Sequence, residues 1–266
     1  MHAEMIAWPR LIPGEALSPA AFGPWLTPSQ LLQQGFTAWC VLNASGEPFA
    51  WGFTQSKTVL EVLSEWGGRV PVGELLALER ALQRALGERG WRNERFGLIG
   101  ADGQRSQDPR MALERSLFRR LGLLSESVQL NLQASDQAWW AARRALTKAV
   151  DPGLLDACVA GGLAAHEEPI TALFREAGEE AGLTVAQTSK AHVLGQVRVF
   201  RVLAEGLLIE RVWAYGLRAS EGCLPRPVDG EVSGFEQMTL AEIESCWRAG
   251  GFNHEAAVAS LCFKPQ

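Results

Sequence analysis

The sequence predicts two folded parts: an α+β unit over residues 1–122, then an α/β/α sandwich built on a mixed sheet over residues 123–266. Two observations carry this. The first part alternates short aromatic or β-branched runs with stretches whose apolar residues recur at helical spacing. The second part sets long β-rich runs before and after one helical stretch and closes in two more helical stretches, so its strands have helices to place on both faces. A chain of 266 residues accommodates two domains of ordinary size, and the boundary falls near 122–126.

Taken in order, residues 1–26 are rich in Pro and small residues and read as an extended or irregular entry. Thr27-Pro28 supplies an N-cap and a proline at the first helical position for SQLLQQ, which stops at Gly35. FTAWCVLN and FAWGFTQ form a hairpin across Ala44–Pro48, and KTVLEVLSEW and VGELLALERALQRALGERG are helices. WRNERFGLIGADG reads as a short strand into a turn, and DPRMALERSLFRRLGL as one helix entered at Asp108-Pro109 and left at Gly122. In the second part SVQLNLQ and QAWWAARRAL are strands around Ser135-Asp136, and DPGLLDACVAGG is a Pro-Gly turn followed by a short apolar strand. AHVLGQVRVFRVL, GLLIERVWAYGLRA and GEVSGFEQM are β-rich; Thr239 to Glu242 forms a capping box that starts a helix, and NHEAAVASLCF is a closing helix.

Composition narrows the function. The formal net charge of −5 opposes nucleic-acid binding, and the arginines 105, 110, 115, 119 and 120 read as the wet side of a Leu113–Leu117–Leu121 ladder. No apolar run reaches the ~18 residues of a membrane span, and the N-terminus has neither a basic nor an apolar signal region, so the expected location is the cytoplasm. Five scattered cysteines, with no C-x-x-C, read as reduced thiols. The ten tryptophans beside a single tyrosine also offer flat surfaces to a planar ligand.

The chemistry is concentrated in GGLAAHEEPITALFREAGEEAGL, residues 161–183. Pro169 opens a helix whose apolar stripe is Ile170, Leu173, Phe174 and Ala177. Glu176, Glu179 and Glu180 stand at i, i+3 and i+4, gathering three carboxylates on one side. Such like charges destabilise a bare helix by about 0.2–0.5 kcal/mol per pair, and a hard divalent cation, magnesium or manganese, offsets that. An all-carboxylate set with no adjacent Cys or His pair disfavours zinc.

Gly161, Glu167, Arg175, Glu176, Glu179, Glu180 and Gly182 also fill the pattern G-x5-E-x7-R-E-U-x-E-E-x-G-U, so the chain resembles the Nudix hydrolase family. His166 departs from it, standing where many such boxes have glycine, and Gly178 is unusual in mid-helix. A narrower resemblance rests on R-R and K at Arg143, Arg144 and Lys148, on P-G-x-L-D-x-x-V-A-G-G at 152–162, and on P-x-P-x-D-G-E-V at 225–232. It points to the Nudix subgroup associated with thiamine pyrophosphokinase, which hydrolyses the diphosphates of damaged thiamine analogues.

The resemblance implies an α/β/α fold and a Mg²⁺- or Mn²⁺-dependent cleavage of a small diphosphate, with neither nucleic acid nor membrane as partner. It implies metal held by Glu176, Glu179, Glu180 and the Gly161 carbonyl. Glu176 or Glu231 takes the proton from water, while Arg175 and Glu167 fix helix and loop. For substrate binding the candidates are Arg143, Arg144 and Lys148 for phosphate, and Trp140, its neighbour Trp139, or Trp213 for the rings. Strand alternation lets only one of Arg143 and Arg144, and one of Trp139 and Trp140, face the site. Alternatives are a Nudix hydrolase of an ADP-sugar, dinucleotide or nucleoside triphosphate, an isopentenyl-diphosphate isomerase using Cys158, and a non-catalytic Nudix ligand-binding protein.

Overall fold

The computed structural model describes residues 15–18, 26–88, 90–135, 137–148, 150–220 and 222–263. The irregular entry expected over 1–26 lies largely outside these residues, as does Asp136 of the expected turn. By contact the chain divides into two units, one of Met1–Ser125 with Ala164–His166 and Arg198–Glu210, the other of Glu126–Leu163, Glu167–Val197 and Arg211–Gln266.

In the first unit, β1 (Glu15–Leu17) precedes helix α1 (Pro28–Gln33), which Thr27 opens with a capping box. Strands β2 (Thr37–Leu42) and β3 (Pro48–Thr54) form the hairpin, and β4 (Arg69–Pro71) joins β2 in parallel. Helices α2 (Lys57–Ser64) and α3 (Leu75–Leu86) bury Val59, Leu63, Leu75, Leu78 and Leu82 against Trp39, Val41 and Val70. The single helix expected from Asp108 to Gly122 is corrected. Asp108 folds back on Arg110 in a turn, and Ala112–Glu114 is a strand, β6, paired with β5 (Arg95–Gly97). Only Leu117–Leu121 is helical, as α4. All three residues of β6 are buried, and the Glu114 backbone N–H donates to Glu79 at 2.8 Å, so pairing and burial override helical spacing here. Of the expected ladder, Leu113 therefore sits on a strand while Leu117 and Leu121 sit on the helix.

The second unit is built on strands β7 (Leu124–Ser135), β8 (Ala138–Arg144), β11 (His192–Leu203), β12 (Gly206–Arg218) and β13 (Val232–Met238), adjacent in the order β11-β12-β7-β8-β13. Two short strands, β9 (Leu155–Ala157) and β10 (Val159–Gly162), pair with β8 and β7 respectively, so the one apolar strand expected before the box is two. Val128, Leu130 and Leu132 of β7 pack with Ala172, Leu173, Ala177 and Ala181 of helix α5 (Pro169–Ala181). Ala141, Leu155 and Ala157 pack in a separate cluster with Ile243 of α7 (Leu240–Arg248) and Ala256 and Ala257 of α8 (His254–Cys262). A one-turn helix, α6 (Val185–Thr188), absent from the sequence expectations, is opened by a Thr184–Gln187 capping box.

Gly178 lies inside α5, where a close contact with a neighbouring element would be one reason for a glycine. That reason does not hold, since a Cβ there meets nothing nearer than the Leu183 carbonyl oxygen at 3.8 Å. Gly178→Ala is therefore expected to stabilise the protein by roughly 0.5–1 kcal/mol, the backbone entropy a mid-helix glycine gives up. A denaturation midpoint below that of the wild type would show that the site needs the bare glycine.

Candidate active site

Helix α5 presents its carboxylates because of how its two ends and its apolar face are held. Pro169 occupies the first turn, and Gly182 ends the helix at φ +62°, with the Gly182 and Leu183 N–H groups bonded to Gly178 and Ala177 carbonyls. Burial of Ala172, Leu173, Ala177 and Ala181 sets the rotation about the helix axis, leaving Glu176 and Glu180 facing β10. Glu180 accepts a hydrogen bond from the Ala160 N–H at 3.1 Å. Glu176 packs over Gly161 so closely that a Cβ on that residue would stand 1.9 Å from the Glu176 carboxyl carbon.

Arg175 ties the loop to the helix. Its guanidinium forks onto Glu167 with two bonds of 2.9 Å, donates to Glu176 at 2.6 Å and to the Gly162 carbonyl at 3.2 Å, and reaches Glu179 at 3.4 Å. These charge-assisted contacts, led by the hydrogen bonds that Arg175 donates to Glu167, push the Arg175 pKa above its ordinary value. Just before Glu167, His166 adopts φ +65°, a conformation that glycine takes without strain.

Beside the helix, a narrow cleft of about 10 Å³ is lined by Arg144, Lys148, Asp156, Glu180 and Glu231, with Ala142, Ala157, Ala160 and Val232 as its apolar walls. The Lys148 ammonium bonds Glu231 and lies 3.9 Å from Glu180. Glu231 follows an Asp229 turn, its N–H donating to the Asp229 carboxylate at 2.8 Å. Burial, with the nearby Glu176 charge adding to it, pushes the Glu180 carboxyl up to about 8. Burial likewise raises Asp156, against the pull of Arg144 at 2.7 Å.

Several sequence expectations are placed differently. The carboxylates of α5 do not share one open face. Glu176 and Glu180 are buried while Glu179 stands about half exposed, and Arg175 bridges Glu176 and Glu179. Among the described residues no group of three His, Cys, Asp or Glu side chains stands ready to hold a metal ion. The donors at hand are all carboxylate or backbone oxygens, which suits a hard divalent cation rather than zinc. Of the arginine pair, Arg144 lines the cleft; Arg143, proposed as a phosphate contact, is corrected, being turned to the other face of β8 and paired with Glu236 at 2.5 Å.

Trp140 packs on the α5 side of the sheet with Phe235, whose strand partner is Ala142 of the cleft wall. Trp213 packs in the same cluster and donates from its indole N–H to Glu126 at 3.0 Å. Trp139 alternates to the opposite face from Trp140, and its indole nitrogen is buried without a hydrogen-bond partner. Sequence reasoning missed Asp156 as a cleft component and Phe235 as the strand partner of the cleft-wall residue Ala142. The signal for Asp156 was a lone carboxylate inside an otherwise apolar strand, LDACV, and Phe235 was legible only through cross-strand register. Cys158 is fully buried, and burial and Glu180 raise its thiol well above the ordinary range, so it is no thiolate at neutral pH.

Comparison with known proteins places this geometry. The NUDIX domain family model matches residues 126–257. The chain is 28% identical over 206 residues to the uncharacterized protein YJR142W of Saccharomyces cerevisiae, covering 71% of this chain and 59% of that one. It is 28% identical over 144 residues to Nudix hydrolase 20, chloroplastic, of Arabidopsis thaliana, covering 53% of this chain and 38% of that protein. The chain thus spans well under two thirds of the length of either relative. The match to the yeast protein is longer than the domain, so the likeness extends beyond residues 126–257. In fold, the crystal structure of DR0079 from Deinococcus radiodurans superposes with a TM-score of 0.51 at 22% identity, over 64% of this chain and all of that one.

Proposed function

Because this chain carries a NUDIX domain over residues 126–257, we propose that it is a divalent-cation-dependent hydrolase that cleaves a small diphosphate to a monophosphate and inorganic phosphate. The observation that supports this most is Glu180, a buried carboxylate beside Glu176 at the floor of an oxygen-lined cleft that also holds Lys148. Water adds to one phosphorus, the bridging P–O bond breaks, and the water proton leaves to a carboxylate. In this reading Glu231, half exposed at the cleft edge and held by Lys148, takes that proton; Glu176 is the other candidate. Lys148 offsets phosphate charge, and Arg175 with Glu167 keeps the loop and helix in register. Magnesium or manganese, held by Glu176, Glu180 and Glu179 with the Gly161 carbonyl, would supply charge neutralisation on the phosphate oxygens.

The finer reading is a substrate with flat rings, the diphosphate of a damaged thiamine analogue such as oxythiamine or oxothiamine. It rests on the resemblance carried by Arg143, Arg144, Lys148 and Pro152–Gly162, on the likeness extending past the domain, and on Trp140 and Phe235 beside the cleft. Complete box carboxylates oppose a purely ligand-binding role, and the full burial of Cys158 opposes an isomerase. Steady-state hydrolysis of oxythiamine diphosphate, thiamine diphosphate, ADP-ribose, a dinucleoside polyphosphate and nucleoside triphosphates with Mg²⁺ tests this. Oxythiamine diphosphate is expected to have the highest kcat/KM, and Trp140→Ala to raise its KM selectively by about 1–3 kcal/mol in binding terms. A higher kcat/KM for ADP-ribose or another nucleotide would overturn the thiamine reading and leave the diphosphate hydrolase; no hydrolysis of any member would overturn both.

A further inference from the structure

Arg144 and Asp156 form a pair at the cleft that the reaction as described does not use. Counted donor by donor, the Arg144 guanidinium is largely committed to the protein. Its Nε donates to the Val150 and Asp151 carbonyls at 3.2 and 3.1 Å, one Nη to Val150 again at 2.9 Å, and the other Nη to Asp156 at 2.7 Å. The second Asp156 oxygen accepts the Ala157 N–H at 2.8 Å, so the carboxylate is fixed to β9 and only 7% of its side chain is exposed. This is a planar fork used to capture backbone, a task lysine cannot perform.

The captured carbonyls lie just beyond Lys148. On its near side the chain is held by the Ala145 N–H on the Glu231 carbonyl at 2.8 Å and by the Lys148 N–H on Ala145 at 3.1 Å. On its far side Asp151 adopts φ +48°, unfavourable for a residue with a Cβ, and is tethered through its own carboxylate to Asn253 at 3.0 Å. Lys148 therefore stands between two fastened points, and its ammonium is delivered onto Glu231 and towards Glu180 with only 18% of the side chain exposed. A lysine ammonium is a compact charge on a flexible stem and can exchange a carboxylate partner for a phosphate oxygen, whereas Arg144 would have to release the Val150 and Asp151 carbonyls and the Asp156 carboxylate together.

We propose that the Arg144–Asp156 pair is a positioning brace for Lys148, and that Lys148, not Arg144, is the cation that receives the substrate's phosphate. The second half rests on the hydrolase reading above; the brace does not.

Two measurements separate these. In the first, lysines are reductively ¹³C-methylated and the Lys148 resonance, assigned by its loss in Lys148→Ala, is followed by NMR. Asp156→Asn is expected to move that resonance to the position of an exposed lysine, and Arg144→Lys to do the same without leaving a bare buried carboxylate should the first variant fold poorly. An unmoved resonance in a folded variant overturns the brace. In the second, inorganic pyrophosphate with Mg²⁺ is titrated calorimetrically into the wild type, Lys148→Ala, Arg144→Lys and their double variant. Lys148→Ala is expected to weaken binding at least tenfold, Arg144→Lys by a smaller factor, and the double variant no more than Lys148→Ala alone. Multiplying effects would make Arg144 an independent phosphate contact and overturn the assignment. A wild type that binds no pyrophosphate would refute the hydrolase reading and the Lys148 assignment, while the NMR result still decides the brace.

Discussion

Glu180→Gln is expected to reduce turnover by about three orders of magnitude, the several kcal/mol that a positioned cation supplies to a charged transition state. The same change is expected to stabilise the protein at alkaline pH. Burial holds the Glu180 carboxyl at about 8 instead of 4.5, so the folded protein keeps a proton that the unfolded chain has already released. The associated stability is complete below the unfolded value and is lost as pH rises through the folded one, at a slope of up to about 1.4 kcal/mol per pH unit between about 5 and 8. Without divalent cation the wild type should therefore melt at progressively lower temperature across that window, and Glu180→Gln should lack this part of the slope. Added Mg²⁺, which competes with the proton, should restore the melting temperature of the wild type at pH 8 and barely move that of the variant. Melting curves at several pH values with and without Mg²⁺ check this; an equal Mg²⁺ response in both proteins would remove Glu180 from the metal set.

Gly161→Ala has the second largest expected effect, although it adds only a methyl group. That methyl carbon would lie 1.9 Å from the Glu176 carboxyl carbon, 2.1 Å from one of its oxygens and 2.3 Å from its Cγ. Glu176 cannot simply swing aside, because it is buried and its carboxylate is bonded to Arg175. Either β10 shifts off β7 or the carboxylate leaves its place. Overpacking of this kind costs about 1–3 kcal/mol, and displacing Glu176 should lower kcat by about a hundredfold, some 2.7 kcal/mol in the barrier. Gly234→Ala is the control, since a Cβ there meets nothing within 4 Å. A Gly161→Ala enzyme with wild-type kcat and melting temperature would show that Glu176 does not need this approach.

Much of the architecture was legible along the chain because it is local. Thr27-Pro28, Thr239–Glu242, Pro169 and Gly182 mark helix ends through hydrogen bonds and dihedral preferences that span a few residues, and each of those ends lies where the sequence indicates. The failure at 108–122 has the opposite cause. Leu113, Leu117 and Leu121 fit a helix by spacing, but Ala112–Glu114 gains a strand partner from Arg95–Gly97 and an acceptor from Glu79, and neither is visible locally.

The candidate segment for the chemistry was legible in the sequence alone, because Gly161, Glu167, Arg175, Glu176, Glu179, Glu180 and Gly182 are defined by spacing on one loop and helix. Which of its carboxylates are buried was decided only by tertiary packing. Ala172, Leu173, Ala177 and Ala181 dock on β7 and thereby turn Glu176 and Glu180 inward while Glu179 stays in water. The rest of the cleft comes from distant chain segments, Arg144 and Lys148, Asp156, and Glu231, which strand pairing between β8, β9 and β13 brings together. Spacing along a helix is set by the 3.6-residue turn that every helix shares, whereas the meeting of Lys148 with Glu231 depends on which strands pair and in which register, a long-range choice that the pattern within either segment does not encode.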